Sequence, residues 1–189
     1  MHKNRLEAFS DGVIAIIITV MVLELREPPG ASLADLRGAA PGLLFYVLSF
    51  VFVAIYWNNH HHMFQAVQKV NGAVLWANLL LLFWLSLIPF ATNWMGEHFG
   101  PVPVAAYGVV LLAAGMSYYL LSRLLLRTHG PDSVLAKAIG QDVKGVVSVL
   151  IYLVAVVIAA FRPAVACALY VVVALMWFVP DRRIESLLR

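Results

Sequence analysis

Charge is scarce in this sequence. Only 12% of its 189 residues are charged, while 62% are hydrophobic. An ordinary soluble domain carries about a quarter of its residues as charges, so the composition is that of an integral membrane protein. Cysteine is nearly absent. The single Cys167 lies in an apolar run and reads as a small buried hydrophobe, with no disulfide framework and no paired-cysteine metal motif. The short, strictly alternating segments of a membrane barrel are missing, which leaves helices as the spanning element. The chain also lacks a Thr-Val-Gly-Tyr-Gly loop, a glycine-rich phosphate loop and a span with regularly spaced arginines. These absences argue against a carbonyl-cage filter, nucleotide-driven pumping and a voltage sensor. No internal repeat is visible, and Phe9-Ser10-Asp11 does not recur, so a transporter built from two like halves has no support.

What is present is a series of apolar runs long enough to cross a bilayer. Six spans are expected, at about residues 6–25, 42–64, 72–94, 104–126, 143–161 and 164–179, within one domain covering 1–189. Twenty residues rising about 1.5 Å each match a hydrocarbon core about 30 Å thick. Residues 26–41 read as a Pro- and Gly-containing connection in which Ser32-Leu33-Ala34-Asp35 can start a short interfacial helix. Pro89 is expected to kink or end the third helix, and Arg162-Pro163 to join the last two spans as an antiparallel hairpin. A cleaved leader is the competing reading of the N-terminus. His2, Lys3 and Arg5 precede a short apolar core, and Ser32-Leu33-Ala34 resembles a cleavage site. Asp11 at the entry to that core and Arg26-Glu27-Pro28-Pro29 after it argue for retention as the first span.

An even number of spans puts both termini on one side. That side collects Lys3, Arg5, Lys69, Arg123, Arg127, Lys137, Lys144, Arg182, Arg183 and Arg189; the other has only Arg26, Arg37 and Arg162. The positive-inside rule then predicts cytoplasmic termini for a multi-pass protein of the plasma membrane.

The first span is the distinctive one, because it carries Ser10, Asp11, Thr19 and Glu24 among its apolar residues. Polar side chains inside a bilayer are costly and mark pathways or packed interiors. Alternating steps of three and four place Arg5, Phe9, Gly12, Ile16, Thr19, Val20 and Leu23 on one helix face. Copies of that face around an axis would stack aliphatic rings, which close a pore by dewetting, on a hydroxyl layer that partly replaces ion hydration. The alternative is ordinary helix packing or contact with lipid. Glu24 at the far end either meets the headgroups or concentrates cations at a mouth.

His60, His61 and His62 are consecutive, hence about 100° apart around a helix, which is poor geometry for one metal. Trp57, His60 and His61 are expected to cluster by hydrogen bonds at the end of span two nearest Arg5, Ser10 and Asp11, where protonation could influence a pore.

Arg5-x-x-x-Phe9-Ser10-Asp11, followed by Ala15-Ile16 and Thr19, resembles the signature of the transmembrane protein 175 family, the lysosomal-type potassium channels and their prokaryotic relatives. Trp57-x-x-His60-His61, Asn78 and Pro89 look like further family features. The resemblance implies a homotetramer of single six-span units, the prokaryotic form, whereas animal members are similar to two fused units acting as dimers. It also implies a passive potassium-selective pore lined by the first helix, with no separate filter loop. Ile16 then falls on the constriction, Thr19 on the hydroxyl layer near which K+ would be coordinated, and Val20 and Leu23 on further hydrophobic layers. Val20 is smaller than the leucine at some related positions. The polar set Arg5, Ser10 and Asp11 would be structural, alongside Phe9, Trp57, His60 and His61.

No enzymatic activity and no cofactor are expected; the permeant ion is K+. The alternatives are a proton pathway through Asp11 and the His60/His61 cluster, and a membrane protein binding metal through His60, His61 and His62.

Overall fold

The computed structural model describes residues 3–133, 135–136 and 142–178. Among these residues the secondary structure is entirely helical. The order is α1 (Lys3–Leu23), α2 (Leu33–Gln65), α3 (Gly72–Ser86), α4 (Ile88–Glu97), α5 (Pro101–His129), α6 (Val143–Ala159) and α7 (Pro163–Phe178). His2, Lys137, Arg182, Arg183 and Arg189, Val179 at the expected end of the last span, and the charged tail 181–189 lie outside the described residues.

The expected all-helical, multi-span class is what the structure has. Lys3–Leu23, Leu33–Gln65, Gly72–Glu97 and Pro101–His129 are each long and apolar enough to cross a membrane. The last two helices have 17 and 16 residues, about 25 Å each. The 17 residues of α6 alone fall a few ångströms short of an average bilayer core, a mismatch of the size that bilayers meet by local thinning.

Pro89 breaks the third crossing. The regular ladder of α3 stops at Ser86, Leu87 serves as cap for both helices, and α4 resumes with Pro89 in its first turn. There the missing N–H is no loss. Pro41 behaves differently. Residues 26–41 do not form a connection ending in a separate short helix, because α2 starts at Leu33 and runs unbroken through Pro41. Its start is nevertheless the Ser32 cap, with Asp35 answering in a capping box. The carbonyl freed four residues before Pro41 belongs to Arg37, whose surroundings are open, so continuing the helix costs little there.

α1 packs on α2, α3 and α4; α5 lies between α3 and α6; α7 folds back on α6 and touches α2 and α5. Small residues permit the close crossings. A Cβ on Gly96 of α4 would come within 3.2 Å of the Gly42 Cα in α2. Gly108 of α5 lies against the Tyr170 ring of α7, whose hydroxyl donates to the Val104 carbonyl at 3.1 Å.

Candidate functional site

The helical period of α1 divides it into two faces. Leu6, Ser10, Ile14, Ile17 and Met21 form the buried stripe against the other helices. On the opposite side Arg5, Phe9, Gly12, Ile16, Thr19, Val20 and Leu23 are all exposed in the single subunit, Ile16 at 63% and Leu23 at 77%. These are the residues that the sequence spacing groups on one face. Thr19 donates its hydroxyl proton to the Ala15 carbonyl at 3.0 Å, which satisfies the proton and leaves the oxygen lone pairs toward the uncovered side.

The buried stripe is fixed by a directed chain of hydrogen bonds. Ser10 Oγ donates to the Leu6 carbonyl at 2.9 Å and accepts from Asn78 Nδ2 at 2.9 Å. The Asn78 carbonyl oxygen therefore faces His60, whose Nε2 donates to it at 2.8 Å. Ser10 and Asn78 are fully buried, and His60 is 1% exposed. His60 also stacks on Phe64, ring centroids 4.3 Å apart. The chain joins α2, α3 and α1 and ends in a backbone carbonyl. An amide in the middle and a carbonyl at the end make it a structural clasp and a poor proton relay.

A second, more exposed set lies beside it. Trp57 Nε1 donates to Asp11 Oδ1 at 3.0 Å, and His61 Nδ1 is 3.3 Å from Glu7 Oε1. Trp57 and His61 stack with centroids 5.7 Å apart, as residues one helical turn apart can. Gln65 completes the set through His61 Nε2 at 2.9 Å. The expected mutual hydrogen bonding of Trp57, His60 and His61 is thus replaced by stacking and by separate partners on α1 and α3. Arg5 and Phe9 do not join either set, and Arg5 makes no ion pair among the described residues. His60 turns to Asn78 and His61 to Glu7, and no group of three or more His, Cys, Asp or Glu among the described residues could hold a metal.

Two polar features escaped the sequence reading. Tyr107 donates to Ser49 at 2.9 Å, Ser49 to Thr92 at 2.7 Å, and Thr92 to the Ile88 carbonyl at 2.7 Å, a buried hydroxyl chain joining α5, α2 and α4. At the far end of α1, Glu24 borders a cavity of about 320 Å³ shared with Asn93, Arg26 and Glu97. There Arg26 Nε lies 2.6 Å from Glu97 Oε1, a contact that is Coulombic rather than a well-aligned hydrogen bond. Arg26 is largely exposed, so the pair contributes little to stability.

A multi-span helical bundle that clasps one face of its first helix through buried polar bonds and leaves the other exposed among the described residues has the architecture of a helix-lined ion channel. Comparison with known proteins makes the class specific. The family model for the endosomal/lysosomal potassium channel TMEM175 matches residues 5–89, the segment containing both anchoring sets and Pro89. A potassium channel of Chryseobacterium sp. (strain P1-3) is 51% identical over 190 residues, covering 100% of this chain and 99% of that protein. The human endosomal/lysosomal proton channel TMEM175 is 34% identical over 103 residues, 48% of this chain and 20% of the human protein. The crystal structure of a lysosomal potassium-selective channel TMEM175 homolog from Chamaesiphon minutus superposes with a TM-score of 0.81 at 27% identity, covering 94% of this chain and 96% of that one. The chain belongs to the TMEM175 family, which places it among multi-pass membrane ion channels and not among enzymes.

Proposed function

We propose that four copies of the chain assemble with the uncovered stripe of α1 facing a common axis, forming a passive potassium-selective channel. One observation carries this reading: α1 buries one stripe inside its subunit and leaves the opposite stripe, from Arg5 to Leu23, exposed, with no helix packed over it among the described residues. Cyclic symmetry would cover that stripe with its own copies. Ile16 then forms a ring narrow and apolar enough to dewet, with Val20 and Leu23 as further apolar layers. Thr19 supplies the polar layer. Because its proton is committed to Ala15, four such hydroxyls would turn oxygen lone pairs inward, the half of the group that a cation seeks. The relatives named potassium channels support K+ as the permeant ion, and conduction down a gradient needs no cofactor. The excess of Lys and Arg on the N-terminal side supports cytoplasmic termini in the plasma membrane.

The test combines geometry with flux. Ile16→Cys should give intersubunit disulfides within an assembly of four, and reconstituted Ile16→Asn should pass K+ faster than wild type without an energy source. No cross-linking at position 16 together with unchanged Ile16→Asn flux would reject the pore assignment.

Proton permeation is the second reading, favoured by the name of the human relative and by Asp11 and His61 at one end of α1. It requires current under a pH gradient in K+-free solution. The His60–Asn78–Ser10 clasp takes no part, so Asn78→Leu protein that still folds should keep any such current.

A further inference from the structure

Between α3, α5 and α6, away from α1, an open groove of about 970 Å³ faces outward. Leu80 and Trp84 of α3, Met116 and Leu120 of α5, and Val149 and Leu150 of α6 line its apolar length. Its end on the side of the α1 N-terminus carries Arg123 and Arg127, one turn apart on α5. Both arginines are exposed, and neither has a carboxylate partner among the described residues. Arg123 lies over the Tyr119 ring, 5.9 Å from its centroid, which holds the guanidinium at the mouth of the groove. The neighbouring carboxylate, Asp142, is taken up by the Gly145 N–H at 2.9 Å and borders a different cavity.

We propose that this groove seats one anionic phospholipid from the leaflet on the α1 N-terminal side, its phosphate held by Arg123 and Arg127. Dimensions and charge both favour that occupant. From Arg123 to Ala113, the deepest α5 residue lining the groove, is ten residue steps, about 15 Å of helix. That is one leaflet of a hydrocarbon core about 30 Å thick. An acyl chain fits along it while the headgroup stays level with the two guanidinium groups, the arrangement by which basic pockets between helices select anionic lipid. Bidentate hydrogen bonding suits arginine to a phosphate oxygen pair.

The experiment is native mass spectrometry of the delipidated full-length assembly titrated with phosphatidylglycerol or phosphatidylcholine. Wild type should prefer phosphatidylglycerol by about fivefold per arginine, and Arg123→Gln/Arg127→Gln should lose that preference. Arg127→Gln alone should lose part of it and serves if the double variant does not fold. Leu120→Trp, which fills the groove and keeps both arginines, should lower binding of either lipid. Equal binding of the two lipids to wild type would overturn the proposal, as would a preference that survives the arginine changes. It would also fall if Leu120→Trp left lipid binding untouched or altered the subunit count, the latter marking the groove as a contact between copies. Lipid binding is read without conduction, so this result and the pore reading stand or fall separately.

Discussion

Ser10 and Thr19 are two hydroxyls on one helix with the same local habit. Each donates to the carbonyl four residues before it, Ser10 to Leu6 at 2.9 Å and Thr19 to Ala15 at 3.0 Å. Their surroundings separate them. The Ser10 oxygen is buried and accepts from Asn78, whereas the Thr19 oxygen is exposed and accepts from no other side chain among the described residues. The backbone bond frees each oxygen to act as an acceptor, and the face on which it lies decides for what. On the inner face the acceptor clasps α1 to its own subunit; on the outer face it stays exposed, and under the proposed assembly it would meet the ion. Changes on the inner face should therefore act on stability, and changes on the outer face on permeation.

The largest effect should come from Asn78→Leu. The substitution removes both bonds of the central amide and leaves the His60 N–H buried without an acceptor, at a cost of about 2–4 kcal/mol. Thermal unfolding of the purified assembly would show it. If Asn78→Leu instead altered ion selectivity at wild-type stability, the division of α1 into a clasping and a conducting face would fail. Next is Ile16→Asn, on the other face. Hydrating the apolar ring should raise K+ flux about tenfold, equivalent to about 1.4 kcal/mol off the barrier. Its melting temperature should stay near that of wild type, because Ile16 is 63% exposed and packs on little within the subunit.

How far this contrast was legible in the sequence depends on what carries it. The two faces of α1 follow from the helical period alone, so Leu6, Ser10 and Ile14 separate from Gly12, Ile16 and Thr19 without coordinates. Pro89 was readable for a similar reason, since a missing N–H and a bulky ring act locally. The expected end of the connection at Pro41 did not hold, because α2 continues through it where the freed Arg37 carbonyl has open surroundings that no local rule records. Partner choice was hidden. That His60 bonds Asn78 while His61 meets Glu7 depends on how α2 is rotated against α1 and α3. Nothing in the spacing of the three histidines sets that rotation. The Ser49–Thr92–Tyr107 chain was hidden likewise, its members being scattered over three helices.

Ser10→Ala sharpens the comparison from the buried side. It should cost about 1–2 kcal/mol, since the Asn78 amide loses its acceptor in a dry interior. The single-channel current should not change, because Ser10 does not reach the uncovered face.

Thr19→Ala is the subtlest change and the most discriminating. Stability should move by no more than about 0.5 kcal/mol, because the lost bond to Ala15 is local and alanine is the better helix former. The preference for K+ over Na+ should fall about threefold, or about 0.6 kcal/mol, read as a shift of reversal potential under bi-ionic conditions. A loss this modest is expected of a layer that offers one oxygen per subunit and no carbonyl cage. Thr19→Ser separates the oxygen from the methyl group. It retains a hydroxyl able to donate to Ala15, so it should keep the wild-type preference if the inward lone pairs do the selecting. A Thr19→Ser variant as unselective as Thr19→Ala would assign the effect to pore width, and the parallel between the two hydroxyls would then end at the backbone bond they share.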